Sequence, residues 1–183
     1  MLRPIEIHNV FSATECQRIV SIAHANDFRD AAIIGSMQSP ASRLSQTSWL
    51  DEKGTADWIF KRLLATFAKT NRDHFDFKLE EFAECMQIAW YDAASGAFFD
   101  WHIDVGASAL ATRRKLTMVV QLSEPESYVG GQLETNADGN IRVASRCVGS
   151  ALVLPSFMLH RVSPVTFGSR YSLTLWSHGP AFR

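Results

Sequence analysis

The chain has 183 residues, with 18 Lys and Arg against 19 Asp and Glu for a net charge of −1 at pH 7. That length suits one domain with a real core, and the balanced charge leaves no basic footprint for nucleic acid. No apolar run approaches the ~18 residues needed to cross a bilayer, so no membrane partner is expected.

The start, Met1–Glu6, carries no apolar signal core. Ser12-Ala13-Thr14-Glu15 is a capping box that opens a helix running to about Asn26, with Ile19, Ile22 and Ala23 on one face. Residues 35–48 are rich in Ser, Gln and Gly, with Pro40 among them, and read as a mobile loop; Arg43 within it reads as solvated. A second helix is expected from about Thr55 to Asn71, where Ile59, Leu63 and Phe67 recur at helical spacing and face a sheet. From Cys85 the period changes to two. Short strands are expected near 85–91, 98–104, 115–122, 131–136, 140–145, 150–154, 158–165 and 170–177, with a hairpin turn at Ala137-Asp138-Gly139-Asn140. Eight such strands suggest a two-sheet jelly roll, with the helices covering one sheet. The fold class is therefore α+β.

Cys16, Cys85 and Cys147 are odd in number and scattered. They read as buried or inert thiols in a reducing compartment, and cytoplasm is the expected location. His8, His24, His74 and His178 have no ligand partner at useful spacing and read as structural. Arg113-Arg114-Lys115 reads as a solvated strand edge.

The chemistry concentrates in His102-Ile103-Asp104, His160 and Arg170. Residues two apart on a strand point to one side, so His102 and Asp104 can reach one ion, with His160 arriving from another strand. Two imidazoles and one carboxylate leave open positions on the ion, as non-haem Fe(II) oxygenases require. Zinc could also fill such a set. Arg170 helps separate the two. A 2-oxo acid that chelates iron leaves its far carboxylate pointing into the protein, and a guanidinium fork suits it. Ser172 lies two residues on and can share that contact.

Around these residues the chain carries Tyr91-Asp92-(x)3-Gly96-(x)5-His102-x-Asp104, Arg114-Lys115-Leu116-Thr117 leading into Gln121-Leu122-Ser123, and Gly130-Gly131-Gln132-Leu133. Gly149–Ser156 follows, then His160-Arg161-Val162-Ser163-Pro164-Val165-(x)2-Gly168-x-Arg170-Tyr171-Ser172-Leu173-(x)2-Trp176. In these motifs the chain resembles the prolyl-4-hydroxylase-like Fe(II)/2-oxoglutarate dioxygenases, including the bacterial PKHD-type hydroxylases. The likeness is close over residues 85–180 and looser before them.

The resemblance implies a double-stranded β-helix core in a single domain over 1–183, with 1–84 a helical support region and 85–183 the catalytic core. It implies His102, Asp104 and His160 as iron ligands and Arg170 as the anchor of the distal 2-oxoglutarate carboxylate. Tyr91 matches a tyrosine near the cosubstrate. Thr117, Val119, Gln121, Leu133, Val162, Thr174 and Trp176 match pocket-facing positions. Gln121 stands where some relatives place a tyrosine that touches the distal carboxylate. The implied reaction consumes Fe(II)-bound 2-oxoglutarate and O2, with ascorbate a candidate addition, and hydroxylates an unactivated C–H bond with release of succinate and CO2. Asp104 favours hydroxylation, since halogenating relatives lack that carboxylate. A prolyl or other residue of a peptide or protein is the expected substrate, with a free amino acid or small metabolite as runner-up. A zinc hydrolase and a non-catalytic iron or 2-oxoglutarate sensor are the other classes, and the loops at 35–48 and 106–112 are candidates for shaping the substrate site.

Overall fold

The computed structural model describes residues 2–31 and 42–182. The first helix, α1 (Ala13–Ala25), begins at the capping box: Ser12 Oγ accepts from the Glu15 N–H, and Glu15 Oε2 accepts from the Ser12 N–H at 2.8 Å. The second, α2 (Asp57–Thr70), has no side-chain cap and grows out of a 3-10 turn at Gly54–Ala56. It leaves through a wider turn, Asn71–Phe75, where Asn71 hydrogen-bonds both the N–H and the carbonyl of Phe77.

Strands make up the rest. Four come first: β1 (Ile5–Ile7), β2 (Arg29–Asp30), β3 (Arg43–Leu44) and β4 (Gln46–Leu50). Then come β5 (Met86–Asp92), β6 (Phe98–His102), β7 (Arg114–Gln121), β8 (Tyr128–Gly130) and β9 (Leu133–Asn136). The last are β10 (Ile141–Val143), β11 (Ala151–Pro155), β12 (Leu159–Val162) and β13 (Val165–His178). The larger sheet runs β1-β11-β7-β13-β5-β4-β2, with β8 paired to β13, and the smaller runs β10-β9-β12-β6-β3. All the pairings are antiparallel. This is the expected α+β jelly roll.

Three expectations need correction. The 35–48 segment is not all loop. Residues 35–41 lie outside the described residues, but β3 and β4 occupy most of the remainder and extend both sheets. The expected strand at 158–165 ends at Val162, and Val165 already belongs to β13. Finally, of the cysteines only Cys16 is buried, where desolvation pushes its thiol up to about 12; Cys85 and Cys147 are exposed.

Alternation along the larger sheet sorts its residues into two environments. Met86, Ile88, Leu116, Met118, Val120, Leu173 and Leu175 face outward and pack under Ile19, Ala23, Ile59, Leu63 and Phe67 of the helices. Burying each large apolar side chain contributes roughly 1.5–3 kcal/mol, so this layer holds the helices in place. The opposite face looks toward the smaller sheet, where Ala89, Tyr91, Val119, Leu152 and Leu154 meet Leu133 and Val162. Cross-strand partners share a face, so the register Arg170–Tyr91, Ser172–Ala89 and Thr174–Gln87 puts all six of these residues inside.

The N-terminal segment is tied to the barrel at Gly149. Its carbonyl accepts from the N–H groups of Val10 and Phe11 at 2.9 and 3.2 Å, and its φ is +74°. A Cβ there would lie 1.8 Å from the Phe11 carbonyl oxygen. Gly149→Ala should therefore lower the unfolding free energy by about 2 kcal/mol or more, read from the urea midpoint. An unchanged midpoint would contradict this account of the junction.

Candidate functional site

His102 ends β6, and His160 sits directly opposite it on β12. Their rings lie 4.2 Å apart between centroids. Each Nδ1 donates to a backbone carbonyl two residues back, His102 to Asp100 at 2.7 Å and His160 to Met158 at 2.9 Å. These bonds fix the tautomer and leave each Nε2 lone pair free for a ligand.

Asp104 follows β6 and is held by backbone and side chain. Its N–H donates to the Ser156 carbonyl at 2.8 Å. Its Oδ2 accepts from Thr117 Oγ1 at 2.6 Å and from Trp176 Nε1 at 3.0 Å. Asp104 Oδ1 stands 3.7 Å from His102 Nε2, and Oδ2 stands 3.6 Å from His160 Nε2. Both gaps are too long for hydrogen bonds. The candidate ligand atoms of the three residues all lie within 4.8 Å of one another, and one ion can reach them all.

The electrostatics match a cation. Burial would raise the Asp104 carboxyl, but the His160 and His102 rings, Arg114 and the Thr117 hydroxyl outweigh it and hold the group down at about 2. Burial and the neighbouring His160 push His102 down to about 3. At neutral pH the cluster therefore offers an ionised carboxylate beside a neutral His102 imidazole.

Deeper in the barrel lies Arg170. It is 0% exposed, yet its partners are neutral: Nη2 donates to Gln121 Oε1 at 2.9 Å and Nη1 to Ser172 Oγ at 3.5 Å. Its Nε is buried with no hydrogen-bond partner. The guanidinium lies over the Tyr91 ring at 5.4 Å. The turn between β8 and β9 closes over the arginine's stem, where a Cβ on Gly131 (φ +59°) would come within 3.0 Å of Arg170 Cδ. Leu133, Val162 and Val119 are buried in the inner apolar cluster beside these groups.

Several supporting residues escaped the sequence reading. Arg114, expected at a solvated edge, is half-buried. Its Nη1 donates to the Asp104 carbonyl at 3.1 Å, and its guanidinium stacks 4.1 Å over Trp176. Both of its other nitrogens pair with Glu84, which also accepts from His178 Nε2 at 2.9 Å. The Ala83 N–H donates to His178 Nδ1, so that ring presents N–H at Nε2. Lys115 is also buried rather than solvated, with its ammonium 3.6 Å from the Phe182 ring. Phe99 stacks on His102 at 3.5 Å, and Arg43 covers Phe99 at 4.5 Å, so Arg43 is not a solvated loop residue. The signal for Arg114 was its place at the head of the motif that runs to Thr117; for Phe99 and Arg43 nothing local distinguished them.

Comparison with known proteins agrees with this geometry. Residues 86–178, just over half of the chain, match the 2OG-Fe(II) oxygenase superfamily. The chain belongs to that superfamily. A PKHD-type hydroxylase of Delftia acidovorans is 35% identical over 91 residues, which cover 45% of this chain and 39% of that relative. The match thus spans only about two fifths of the curated relative's length. Among solved structures, a Pseudomonas putida prolyl-4-hydroxylase superposes with a TM-score of 0.75 at 22% identity, covering 97% of this chain and 93% of the other. A Trichoplax adhaerens prolyl hydroxylase, solved with a hypoxia inducible factor oxygen degradation domain peptide fragment, gives 0.79 at 17% identity over 96% and 83%. At such identities the likeness is one of fold. Among the described residues no helix is long and apolar enough to cross a membrane.

The Glu84 cluster yields a pH prediction. Burial would raise the Glu84 carboxyl, but hydrogen bonds from His178 and Arg114 bring it down to about 2 from an ordinary 4.5. A depressed folded-state pKa contributes stability above the unfolded value that is lost as pH falls through the folded one. Glu84→Gln should therefore flatten the loss of stability between pH 4.5 and 2 and lower stability at pH 7. A variant whose acid-unfolding curve overlays the wild type would contradict this.

Proposed function

We propose that the chain is an Fe(II)- and 2-oxoglutarate-dependent dioxygenase that hydroxylates an unactivated C–H bond, with His102, Asp104 and His160 as the iron ligands. The observation that carries this reading is the pairing of that cluster with Arg170, a fully buried cation with no acid partner among the described residues. An uncompensated buried charge costs several kcal/mol, and the distal carboxylate of a 2-oxo acid would neutralise it. A zinc hydrolase would leave the charge uncompensated.

The residues fit the cosubstrate in further ways. Gln121 turns its Oε1 to Arg170, so its amide N–H groups remain to donate to the same carboxylate. Ser172 shares the interior face with Arg170, and the Tyr91 hydroxyl makes no hydrogen bond among the described residues. Thr117 and Trp176 both hold Oδ2 of Asp104, which keeps the carboxylate from rotating. Leu133 and Val162 exclude water from this end of the barrel. When bound, the Fe(II) and 2-oxoglutarate pair supplies the oxidising chemistry, consuming O2 and releasing succinate and CO2.

For the substrate we propose a prolyl or other residue of a peptide or protein. The PKHD-type and prolyl hydroxylase names of the similar proteins support this, as does the peptide in the Trichoplax structure. We also read the whole of 1–183 as one functional unit, since the helices pack on the larger sheet, β1, β2 and β4 extend it, and β3 extends the smaller one.

His102→Ala and Asp104→Ala should each abolish substrate-dependent succinate formation; undiminished turnover in both would overturn the assignment. Arg170→Ala should weaken 2-oxoglutarate binding by ~1.5–3 kcal/mol, the worth of its charge-assisted hydrogen bonds. Equal affinity by calorimetry would remove Arg170 from that role.

A further inference from the structure

A second cationic side chain, Arg43, reaches from the smaller sheet to the larger one beside the metal cluster. Arg43 stands on β3, at the edge of the smaller sheet next to β6. Its Nη2 donates to Gln87 Oε1 on β5 of the larger sheet at 3.2 Å, and its Nε donates to Ser45 Oγ at 2.8 Å. The arginine thus spans the gap between the sheets. Gln87 is an interior position, two residues before Ala89 and opposite both Thr174 and Trp49. Trp49 is 45% exposed, and its ring lies 6.3 Å from Trp176, which holds Asp104. Arg43 therefore approaches the metal cluster through Phe99, and Trp49 approaches it through Trp176.

The guanidinium is close to the chemistry. It lies 4.5 Å from the Phe99 centroid, and that ring lies 3.5 Å from the His102 ring, so Arg43 is at most 8.0 Å from the imidazole. Among the described residues its hydrogen-bond partners are neutral, Nη1 donates to none, and no carboxylate pairs with it.

A charge account shows what is missing. If the site is loaded as proposed above, the charges of Asp104 and a doubly ionised 2-oxo acid cancel those of a divalent ion and Arg170. Glu84 cancels Arg114. Of the cations named at the site, Arg43 then has no counter-charge among the described residues, and it lies over an aromatic ring that keeps water from one of its faces. A guanidinium fixed at Nε and one Nη, with the other Nη free, is prepared to receive an oxyanion.

We propose that Arg43 is a specificity residue that binds a carboxylate of the substrate, set within a few bonds of the carbon to be hydroxylated. The 8.0 Å limit to His102 restricts the spacing to the size of a single amino acid. Three sources share this chemistry: the α-carboxylate of a free amino acid, the C-terminus of a peptide, and an Asp or Glu side chain in a chain. The inference rests on the dioxygenase reading, and Trp49 at the rim offers an apolar wall for the rest of the ligand.

The test uses the full chain loaded anaerobically with Fe(II) and 2-oxoglutarate. The visible charge-transfer band of the chelated iron reports loading by itself, and its shift on adding a probe reports binding beside the metal. The probes are the common free amino acids, short peptides ending in each, and internal Asp and Glu peptides, every acid matched with its carboxamide. The expected result is at least one acid that shifts the band and binds about tenfold to a hundredfold more tightly than its carboxamide. Arg43→Met should erase that preference, and Arg43→Lys should restore part of it. The class of acid that works identifies the source. Absence of the band in the wild type would refute the dioxygenase reading itself. A normal band with no acid preferred over its amide would overturn the role of Arg43 alone, as would a preference that survives in Arg43→Met. Loss of the band in both Arg43 variants would make the residue a strut between the sheets and would also overturn the proposal.

Discussion

The guanidinium of Arg170 is a full positive charge inside a barrel, and much of the interior is arranged around it. The surroundings supply partial compensation: an amide oxygen, a hydroxyl and the face of an aromatic ring. None of these replaces an anion, because dipoles recover only part of the solvation that a buried ion loses. The glycine at position 131 lets the chain pass over the arginine's stem, and the inner apolar cluster closes the cavity around it. A protein that maintains such a feature tolerates a cost in stability for a binding site. Under the proposed function, the cluster nearby that could hold an ion defines the ligand: a molecule with one end for the ion and an anionic end for the arginine.

The cluster is itself held by groups outside it. Both imidazoles are oriented by carbonyls two residues back, Asp100 within β6 and Met158 just before β12, so these two segments set the ligand geometry. Asp104 depends on more distant elements. Trp176 near the end of β13, Thr117 on β7 and the Ser156 carbonyl after β11 all converge on it. Arg114, clamped by Glu84, braces both Trp176 and the Asp104 backbone. Three segments, β7, the turn after β11 and the end of β13, thus meet at one residue. The larger sheet can hold this arrangement because the helices bury its outer face.

Much of this was legible in the chain. The alternation from Arg170 to Trp176 correctly placed Arg170, Ser172, Thr174 and Trp176 on one face, because a strand buried on both sides still separates a mixed polar interior from an apolar exterior. The capping box at Ser12 and the stripe Ile59, Leu63, Phe67 also formed as read, since both depend on local geometry. The strands β3 and β4 were missed for the opposite reason. Gln46-Thr47-Ser48-Trp49-Leu50 has no apolar alternation: Thr47 and Trp49 share one face, and Gln46, Ser48 and Leu50 the other. Pairing with β5 on one side and β2 on the other makes it a strand. Arg43 and Arg114 went unread because each depends on partners more than twenty residues away: Gln87 and Phe99 for one, Glu84 and Trp176 for the other.

The central claim is that one small molecule joins the metal cluster to Arg170, and thermodynamic linkage tests it most directly. A ligand that touches both the ion and the arginine must bind more tightly with metal present, and must tighten the metal by the same factor. Calorimetric titration of 2-oxoglutarate with and without Fe(II), under anaerobic conditions, measures that factor. Glutarate, which keeps both carboxylates but lacks the chelating keto oxygen, serves as the control. The account predicts strong coupling for 2-oxoglutarate and much weaker coupling for glutarate. Equal affinities for 2-oxoglutarate with and without the metal would contradict it.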